Sequence, residues 1–304
     1  MDLVIRSARP KDRAPILAIA AQIWEGHDYL PRVWERWLHD PAGPMVVAVL
    51  AGVPVAVAKT TLQSPTEAWL AGIRVDPAHR GRGIAKAVTA FQLRWLEARH
   101  IPIARFSTAG ENEAIHYIAA EMGFQRVAAV DHWRRELEAG AAGVAVVGRQ
   151  AGQRTQSGIP RLLTMDEEPV AWELAKNSPL FRATQGLYGV GWTWRRFRRV
   201  DLQQHLARGE VWGWGPDPAA LAIVVHRSAR VPRYVSLVTG AREAGLALLR
   251  ALRTVPHLVV EDLDSPPQLR MAVLEEDAES TWLAAQAGLA PGEFAMWLFE
   301  RDAR

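Results

Sequence analysis

Residues 72–88 read GIRVDPAHRGRGIAKAV, an apolar strand followed by a proline and a loop of arginines between glycines. The glycines of Arg80-Gly81-Arg82-Gly83 would let a phosphate approach the backbone closely, and a helix begins directly after them. Unpaired amides at a helix N-terminus, together with the helix dipole, form an anion site. The spacing matches neither GxGxxG nor GxxxxGK[ST], so it favours neither a dinucleotide fold nor a nucleoside triphosphate. The loop therefore predicts a pyrophosphate site, or else a solvated basic turn.

The other common signatures of catalysis are missing from the sequence. The chain has no cysteine and no GxSxG motif, so no nucleophilic side chain is evident. Its nine histidines show no HExxH or paired spacing, and we expect no metal site. Any group transfer is therefore expected to pass directly from donor to acceptor.

The bulk composition indicates a soluble globular protein with one large or two ordinary domains. The 304 residues are 49% hydrophobic and 23% charged, with a formal net charge of +3. No apolar run approaches the ~20 residues of a membrane span, and the N-terminus lacks the apolar run of a signal peptide. These features, with the absence of cysteine, favour a cytoplasmic protein with no membrane or nucleic-acid partner.

The first half of the chain alternates between strand and helix patterns. Strands are predicted at 2–7, on both sides of Ala51-Gly52, at 67–75, at 103–108 and as a pair within 124–137. Apolar residues spaced three and four apart predict helices within 11–26, 27–40, 84–99 and 111–122. This alternation is typical of an α/β domain.

The second half partly repeats this order after a stretch rich in glycine and alanine. That stretch predicts a linker at 139–160, between a first domain at 1–138 and a second at 161–304. Helices are predicted within 168–181, 200–209, 241–255 and 279–289. Strands are predicted at 221–227, 233–240, 257–263 and 293–300. The repeated element order predicts two related domains.

The glycine loop resembles a known family signature. Arg80-x-x-Gly83-x-Ala85 is similar to the Arg/Gln-x-x-Gly-x-Gly/Ala motif of the GCN5-related N-acetyltransferases, the GNAT superfamily. Further similarities over residues 1–137 are Val75-x-Pro77, the helix opened by Asn112, and Gly123-Phe124. The resemblance implies an α/β (α+β) fold of two tandem domains, the second degenerate. Each would be a mixed, mainly antiparallel sheet flanked by helices.

The same resemblance implies acetyl-CoA as the cosubstrate. Strand 69–75 would offer backbone hydrogen bonds to the pantetheine arm and the thioester carbonyl, and the amides of residues 81–86 would hold the pyrophosphate. The implied cosubstrate-binding residues are Ile73, Val75, Arg80, Gly81, Arg82, Gly83, Ile84, Ala85, Lys86 and Asn112.

The catalytic acid and base are harder to assign. Glu67 begins the strand that carries the base in some members of the family, although a solvated glutamate at a strand end would look the same. Where the family often has a tyrosine that protonates the thiolate, this chain has Ala119. His116 and Tyr117 lie nearby on the same predicted helix and are candidates, and the thiolate can also leave unprotonated. The acid is therefore unassigned.

A second segment resembles a narrower group. IWEGHDYLPRVWERWLHDP, residues 23–41, is similar to a segment of histidine N-acetyltransferases and their vertebrate relatives, which also carry a divergent second domain. In this fold that segment lines the acceptor pocket, which makes His27, Asp28 and Tyr29 candidates for acceptor binding. Asp28 would contact an ammonium, and Tyr29 a carboxylate or a ring. Alternatively, Asp28 caps the next helix and Tyr29 packs in the core.

Two features of the second half invite other interpretations. Arg242-x-x-Gly245-x-Ala247 repeats the CoA pattern formally, but Glu243 inside it would oppose a phosphate, so we expect a degenerate copy. WTWRRFRRV, residues 192–200, mixes aromatic and basic residues as some nucleic-acid sites do. Arginines that lie over an apolar strand would give the same pattern.

The sequence thus predicts an acyl-CoA-dependent N-acetyltransferase acting by direct attack of a primary amine. The preferred acceptor is a small molecule, a free amino acid such as histidine. Alternatives are a protein N-terminus, a lysine, a polyamine or an antibiotic amine. A non-catalytic CoA-binding regulator is the alternative from a different class. The oligomeric state is not predicted.

Overall fold

The computed structural model describes residues 3–23, 26–137, 158–227, 231, 233–253 and 266–303. The chain forms two compact units. The first comprises Met1–Val127 together with Leu298–Arg304, and the second comprises Ala128–Trp297. The predicted linker at 139–160 lies almost entirely outside the described residues.

The first unit is a sheet with helices on both faces. Its strands are β1 (Leu3–Ser7), β2 (Met45–Leu50), β3 (Val53–Ser64), β4 (Glu67–Val75) and β5 (Ile103–Ala109), and its helices are α1 (Arg13–Ala20), α2 (Leu30–Leu38), α3 (Ile84–Glu97) and α4 (Glu113–Glu121). β1 to β4 pair antiparallel in the order β1-β2-β3-β4. β5 lies beside β4 and is parallel to it.

Alternation along β2 places one set of side chains on each face of this sheet. Met45 and Val47 pack with Trp34 of α2. Val46 and Ala48 pack with the side chains of α3 on the opposite face. Both faces are therefore buried, which explains why β2 is apolar throughout.

The second unit repeats this architecture. Its strands are β6 (Gln125–Glu136, mostly in this unit), β7 (Pro160–Leu162), β8 (Leu187–Val190), β9 (Thr193–Arg196), β10 (Val211–Trp214), β11 (Ala220–Val225), β12 (Arg233–Gly240) and β13 (Gln268–Leu274). Its helices are α5 (Glu168–Lys176), α6 (Pro179–Ala183), α7 (Arg199–Ala207), α8 (Arg242–Leu252) and α9 (Ala278–Gln286). β10, β11 and β12 are antiparallel, and β13 is parallel to β12. The predicted fold class is confirmed.

Two strands belong to units other than those the sequence order suggests. Residues 124–137 were expected to be a strand pair of the first domain, but they form the single strand β6, which pairs with β13 from Val130 to Glu136. The last strand of the chain, β14 (Met296–Asp302), lies beside β5, and its residues from Leu298 onward belong to the first unit. The unit boundaries at 127 and 298 therefore differ from the predicted boundaries at 138 and 161, because strand pairing decides the assignment.

Other differences concern elements in the second unit. Strand β13 was not predicted, and the strand expected at 257–263 lies outside the described residues. The helix expected at 168–181 is divided into α5 and α6, because Ser178 caps the second of them. Helix α7 begins at Arg199 rather than at Asp201, whose carboxylate accepts a hydrogen bond from the Arg198 amide.

Candidate functional site

The first unit contains an opening between two parallel strands. β4 and β5 are paired only from Glu67 with Ile103 to Trp69 with Arg105. Among the described residues, β4 continues to Val75 beyond this point with no strand paired on that side. Ligands in α/β sheets bind where neighbouring parallel strands separate, at their carboxyl ends. The opening is therefore the natural place for an extended ligand.

The glycine loop lies between the carboxyl end of β4 and the start of α3. Gly81 and Gly83 both have φ +73°, a left-handed conformation that other L-residues rarely adopt. A Cβ atom built at either glycine would meet no atom within 4 Å. Gly83 is the N-cap of α3 and supplies no side-chain cap to the first-turn amides. The loop therefore presents backbone amides on an open face, as an anion site requires.

Basic side chains surround this loop. Arg80 and Arg82 are exposed, and Arg80 Nε is 3.4 Å from the carbonyl oxygen of Val75. Lys86 in the first turn of α3 lies 3.1 Å from a carboxylate oxygen of Glu121. Ile84 is buried and anchors the helix in the core. The predicted loop residues thus lie together, with the neighbouring Ala85 in the same turn.

A bulge interrupts β4 just before the loop. Ala71 pairs with Lys59 and Arg74 pairs with Val57, so Gly72 and Ile73 lie opposite a single residue. Bulges re-aim the backbone and often lie beside functional sites. Here the bulge includes Ile73, one of the two residues whose backbone the family resemblance assigned to the pantetheine arm and the thioester.

The acceptor segment packs against this bulge. The Asp28 carboxylate is buried and accepts a hydrogen bond at 2.9 Å from the amide of Leu30, the first residue of α2, while the N-cap position itself is Tyr29. Asp28 also pairs with Arg74, whose Nε lies 2.6 Å from Oδ2. Arg74 Nη1 donates to the Ile73 carbonyl at 3.0 Å. Asp28 therefore makes structural contacts at the start of α2, and contact with an acceptor ammonium would compete with Arg74.

Tyr29 and Trp37 complete this contact. Their ring centroids are 5.8 Å apart in an edge-to-face arrangement, and Arg74 lies 5.2 Å from the centre of the Tyr29 ring. A Cβ atom at Gly72 would overlap the Trp37 indole and lie 3.6 Å from the Tyr29 hydroxyl. The glycine is thus required by close approach and by its φ of +66°. His27, next in the segment, is exposed.

Glu67 lies at the opposite end of β4 and is not solvated. It is buried, and Oε1 is 3.2 Å from Nη2 of Arg105, a fully buried residue. Arg105 also pairs with Glu300 of β14 at 2.6 Å. Six residues of strand, about 20 Å, separate Glu67 from Ile73. This placement does not favour Glu67 as the base, and its role stays a prediction.

Helix α4 lies beyond β5 and carries the remaining candidates. Asn112 is its N-cap, with Oδ1 accepting from Ile115 at 3.4 Å and Nδ2 donating to Thr108 at 3.0 Å. His116 Nε2 is 3.2 Å from the Ala109 carbonyl. Tyr117 is 66% exposed, whereas Ala119 is buried. His116 and Tyr117 thus lie on α4, and their assignment as acid candidates stays a prediction.

At the corresponding position, the described part of the second unit has no comparable loop. Arg242 and Gly245 are both inside α8, and only Ala241 separates this helix from β12. Gly240 has φ +114°, and a Cβ there would overlap the backbone at Ala219 and Ala220. Glu243 occupies the first turn of α8. The formal CoA pattern in this unit therefore builds no phosphate cradle.

The arginines of the aromatic and basic segment are engaged within the second unit. Arg195 donates to the Tyr188 hydroxyl at 2.8 Å, and Arg199 pairs with Glu168 at 2.6 Å. Across the described ranges, no helix is both long and apolar enough to span a bilayer. The same residues include no group of three histidine or carboxylate side chains placed to hold a metal ion.

The sequence argument missed Trp37 and Arg74 at the bulge, and Arg105 and Glu300 around Glu67. An arginine in the otherwise apolar GIRV strand was a usable signal for Arg74. Nothing local marked Glu300, which reaches Arg105 only through tertiary structure.

Comparisons with known proteins agree with this geometry. Residues 14–124 match the family described as "Acetyltransferase (GNAT) family". Human "Probable N-acetyltransferase 16" is 31% identical over 110 residues, which are 35% of this chain and 29% of that protein. Histidine N-acetyltransferase of Oreochromis niloticus is 30% identical over 94 residues, or 31% of this chain and 28% of that protein. The matches thus span less than a third of each relative.

Solved structures extend the likeness in fold to the whole chain. A GCN5-related N-acetyltransferase from Sphaerobacter thermophilus covers 99% of this chain and 96% of its own, at a TM-score of 0.65 and 13% identity. A putative acetyltransferase from Thermoplasma acidophilum covers 98% of this chain and 99% of its own, at a TM-score of 0.58 and 14% identity. Residues 14–124 are thus similar in sequence to the GNAT family, and the whole chain has the fold of these solved structures.

Proposed function

We propose that this protein transfers an acetyl group from acetyl-CoA to the primary amine of a free amino acid, with histidine as the first acceptor to test. The observation that carries the proposal is the cradle formed by Gly81 and Gly83 beside the opening between β4 and β5. A pyrophosphate on the loop amides would direct the pantetheine arm into that opening.

The remaining contacts follow from the bulge in β4. Ile73 and Val75 would offer backbone groups to the thioester and the pantetheine, with Asn112 nearby on α4. Arg80, Arg82 and Lys86 would add charge around the pyrophosphate, supplementing the ~0.3–1 kcal/mol that a helix dipole provides.

The reaction requires a neutral amine. An ammonium of pKa about 9 must lose a proton at pH 7, which costs roughly 2.7 kcal/mol. The amine nitrogen then attacks the acetyl carbon, the C–S bond breaks, and the sulfur leaves as CoA. The placement of Glu67 does not favour it as the base. We therefore assign the acceptance of the ammonium proton to an ordered water.

The amino-acid acceptor is inferred from the segment against the bulge. His27, Asp28 and Tyr29 belong to a stretch similar to histidine N-acetyltransferases, and Tyr29 lies at the bulge itself. The alternatives are a protein N-terminus, a lysine, a polyamine or an antibiotic amine. These acceptors differ in whether a carboxylate accompanies the amine.

Release of CoA thiol from acetyl-CoA tests the proposal directly. The chain has no cysteine, so a thiol reagent reports the product without a protein background. We expect turnover with histidine or another amino acid, and less with histamine, which lacks the carboxylate. Turnover confined to polyamines, peptides or aminoglycosides would contradict an amino-acid acceptor and identify that class as the acceptor instead. Binding of acetyl-CoA without turnover of any amine would instead favour the CoA-binding regulator.

A further inference from the structure

The proposed transfer leaves the proton donor to the departing sulfur unassigned. Helix α4 supplies a buried methyl group at Ala119, and Tyr117 is 66% exposed. The Ala109 carbonyl can only accept a hydrogen bond, so His116 Nε2 at 3.2 Å carries a hydrogen and donates it to the backbone. His116 Nε2 is thus engaged with the backbone of Ala109, and Tyr117 faces solvent.

A different hydroxyl lies at the bulge. The first unit has two tyrosines in its sequence, Tyr29 and Tyr117. The Tyr29 hydroxyl lies 3.6 Å from the position that a Cβ of Gly72 would occupy. Gly72 directly precedes Ile73, the residue whose backbone would contact the thioester. Tyr29 is thus the phenol nearest to the proposed reacting atoms.

The surroundings hold this hydroxyl in place. The Trp37 indole packs edge to face against the Tyr29 ring and covers Gly72. Arg74 lies 5.2 Å from the ring centre and is itself held by Asp28 at 2.6 Å. These contacts join the acceptor segment to the bulge, so the phenol is preorganised before substrate binds.

The charge balance suits a proton donor. Burial raises the pKa of the Tyr29 phenol, and the charge of Asp28 raises it further. The charge of Arg74 and a hydrogen bond from Arg74 lower this pKa, but the net shift is upward. The phenol therefore keeps its proton at neutral pH. Once that proton has left, the nearby Arg74 guanidinium would stabilise the phenolate.

We propose that Tyr29 is the acid that protonates the departing CoA sulfur, in place of the missing tyrosine of α4. This step rests on the proposed acetyl transfer. As the C–N bond forms and the C–S bond breaks, the phenol O–H proton passes to the sulfur and gives the thiol. The proton that the attacking nitrogen loses then restores the phenol, directly or through water.

Paired tyrosine variants test the assignment. Tyr29→Phe should lower kcat by about 100-fold, the size expected when one acid is removed, with little change in the Kd for acetyl-CoA. Tyr117→Phe tests the other tyrosine candidate of the first unit, and the proposal places the loss of kcat in Tyr29→Phe. Equal kcat for wild type and Tyr29→Phe would overturn the proposal, as would a large loss in Tyr117→Phe.

An isosteric replacement guards against a purely structural effect. Incorporation of 3-fluorotyrosine at position 29 lowers the phenol pKa without removing the ring, so the alkaline limb of the kcat profile should move to lower pH. An unchanged alkaline limb would contradict the role of Tyr29 as the acid. Wild-type protein without turnover on any amine would overturn the acetyl transfer and, with it, this step. Turnover by wild type, with no change of kcat in Tyr29→Phe and no shift of the pH profile in the fluorotyrosine protein, would overturn only the role of Tyr29 as the acid.

Discussion

The two units share a core order of elements, to which the second adds the hairpin of β8 and β9, and they differ in the connection between the third antiparallel strand and the next helix. Each has a strand, helices, three antiparallel strands, a helix, a parallel strand and a further helix. In the first unit, residues 76–83 connect β4 to α3 and include two left-handed glycines. In the second, Ala241 alone connects β12 to α8. One architecture thus occurs with and without a phosphate cradle, so the fold by itself does not determine binding.

The buried charges differ at corresponding strand pairs. In the first unit, Glu67 at the start of β4 pairs with Arg105 of β5. In the second, the first residue of β12 is Arg233, which donates to the Leu252 carbonyl, and burial lowers its pKa to about 10. The first unit thus satisfies its buried charge with a salt bridge, while in the second a backbone carbonyl accepts from the buried cation. The two sheets therefore maintain the same pairing with different chemistry.

The largest expected effect follows a charge placed in the cradle. Gly83→Glu should weaken acetyl-CoA binding by at least about 100-fold, or roughly 2.7 kcal/mol. A glutamate there forces an L-residue to a φ of +73° and sets a carboxylate against phosphate. Gly245→Ala in the second unit is the matched control, since its Cβ would meet only atoms at 3.7 Å or beyond. Calorimetric titration gives both Kd values; equal values would refute the loop assignment.

A smaller effect tests the dependence of the first unit on the last strand. Glu300→Ala should lower the free energy of unfolding by about 3 kcal/mol, because it removes one partner of the buried Arg105. Deletion of residues 298–304 should cost more, since it also removes Phe299, which stacks on Phe106 at 5.1 Å. Denaturant titration measures both. A fully stable truncated chain would show that β14 is dispensable for the first unit.

Acid should affect the second unit first. Burial, with the charges of Arg270 and Arg227, lowers the pKa of His132 to about 4 from the ordinary 6.5. As the pH falls, His132 therefore binds a proton in the unfolded chain before it does so in the folded protein. The free energy of unfolding declines between about pH 6.5 and pH 4, by up to ~3 kcal/mol. In the first unit, a hydrogen bond from Arg6 lowers the pKa of Asp12 from 3.8, so that contribution is lost only at more acidic pH.

Hydrogen exchange followed by mass spectrometry can separate these responses. Peptides from β6 and β12 should lose protection near pH 5, before those from β1 and α1. His132→Gln should remove the pH dependence in this range. Simultaneous loss of protection in both units of wild type would contradict the difference.

The smallest expected effect concerns Glu67. Glu67→Gln should change kcat by less than about threefold, because the carboxylate is paired with Arg105 and lies about 20 Å along the strand from Ile73. Thiol release at saturating acceptor measures it. A loss of 100-fold or more would restore Glu67 as the base and require a proton path along β4.

Local pattern predicted much of the first unit. The hairpin at Ala51-Gly52, with φ of 49° and 84°, and the helix after Gly83 follow from turn chemistry and apolar spacing. The strand QLRMAVL of β13 was not predicted, although it is nearly as apolar and as buried as the other inner strands. Strands buried on both faces lack a period of two, and only their neighbours identify them.

The ligand site stays a prediction, but the loop that carries it could be inferred locally. The loop depends on consecutive residues, and its glycines are left-handed. The roles of Asp28 and Tyr29 could not be inferred locally, because Arg74 lies 46 positions after Asp28 along the chain. The sequence left both a ligand contact and a structural contact open for each.

The amino-acid sequence by itself determined most elements of the first unit, the glycine loop and the absence of a thiol, since these depend on near neighbours and composition. Only the tertiary structure decided which strand completes which unit, that Arg105 joins Glu67 to Glu300, and that Tyr29 lies over Gly72. The physical reason is that strand pairing and buried ion pairs join distant segments, whose complementarity no local pattern encodes.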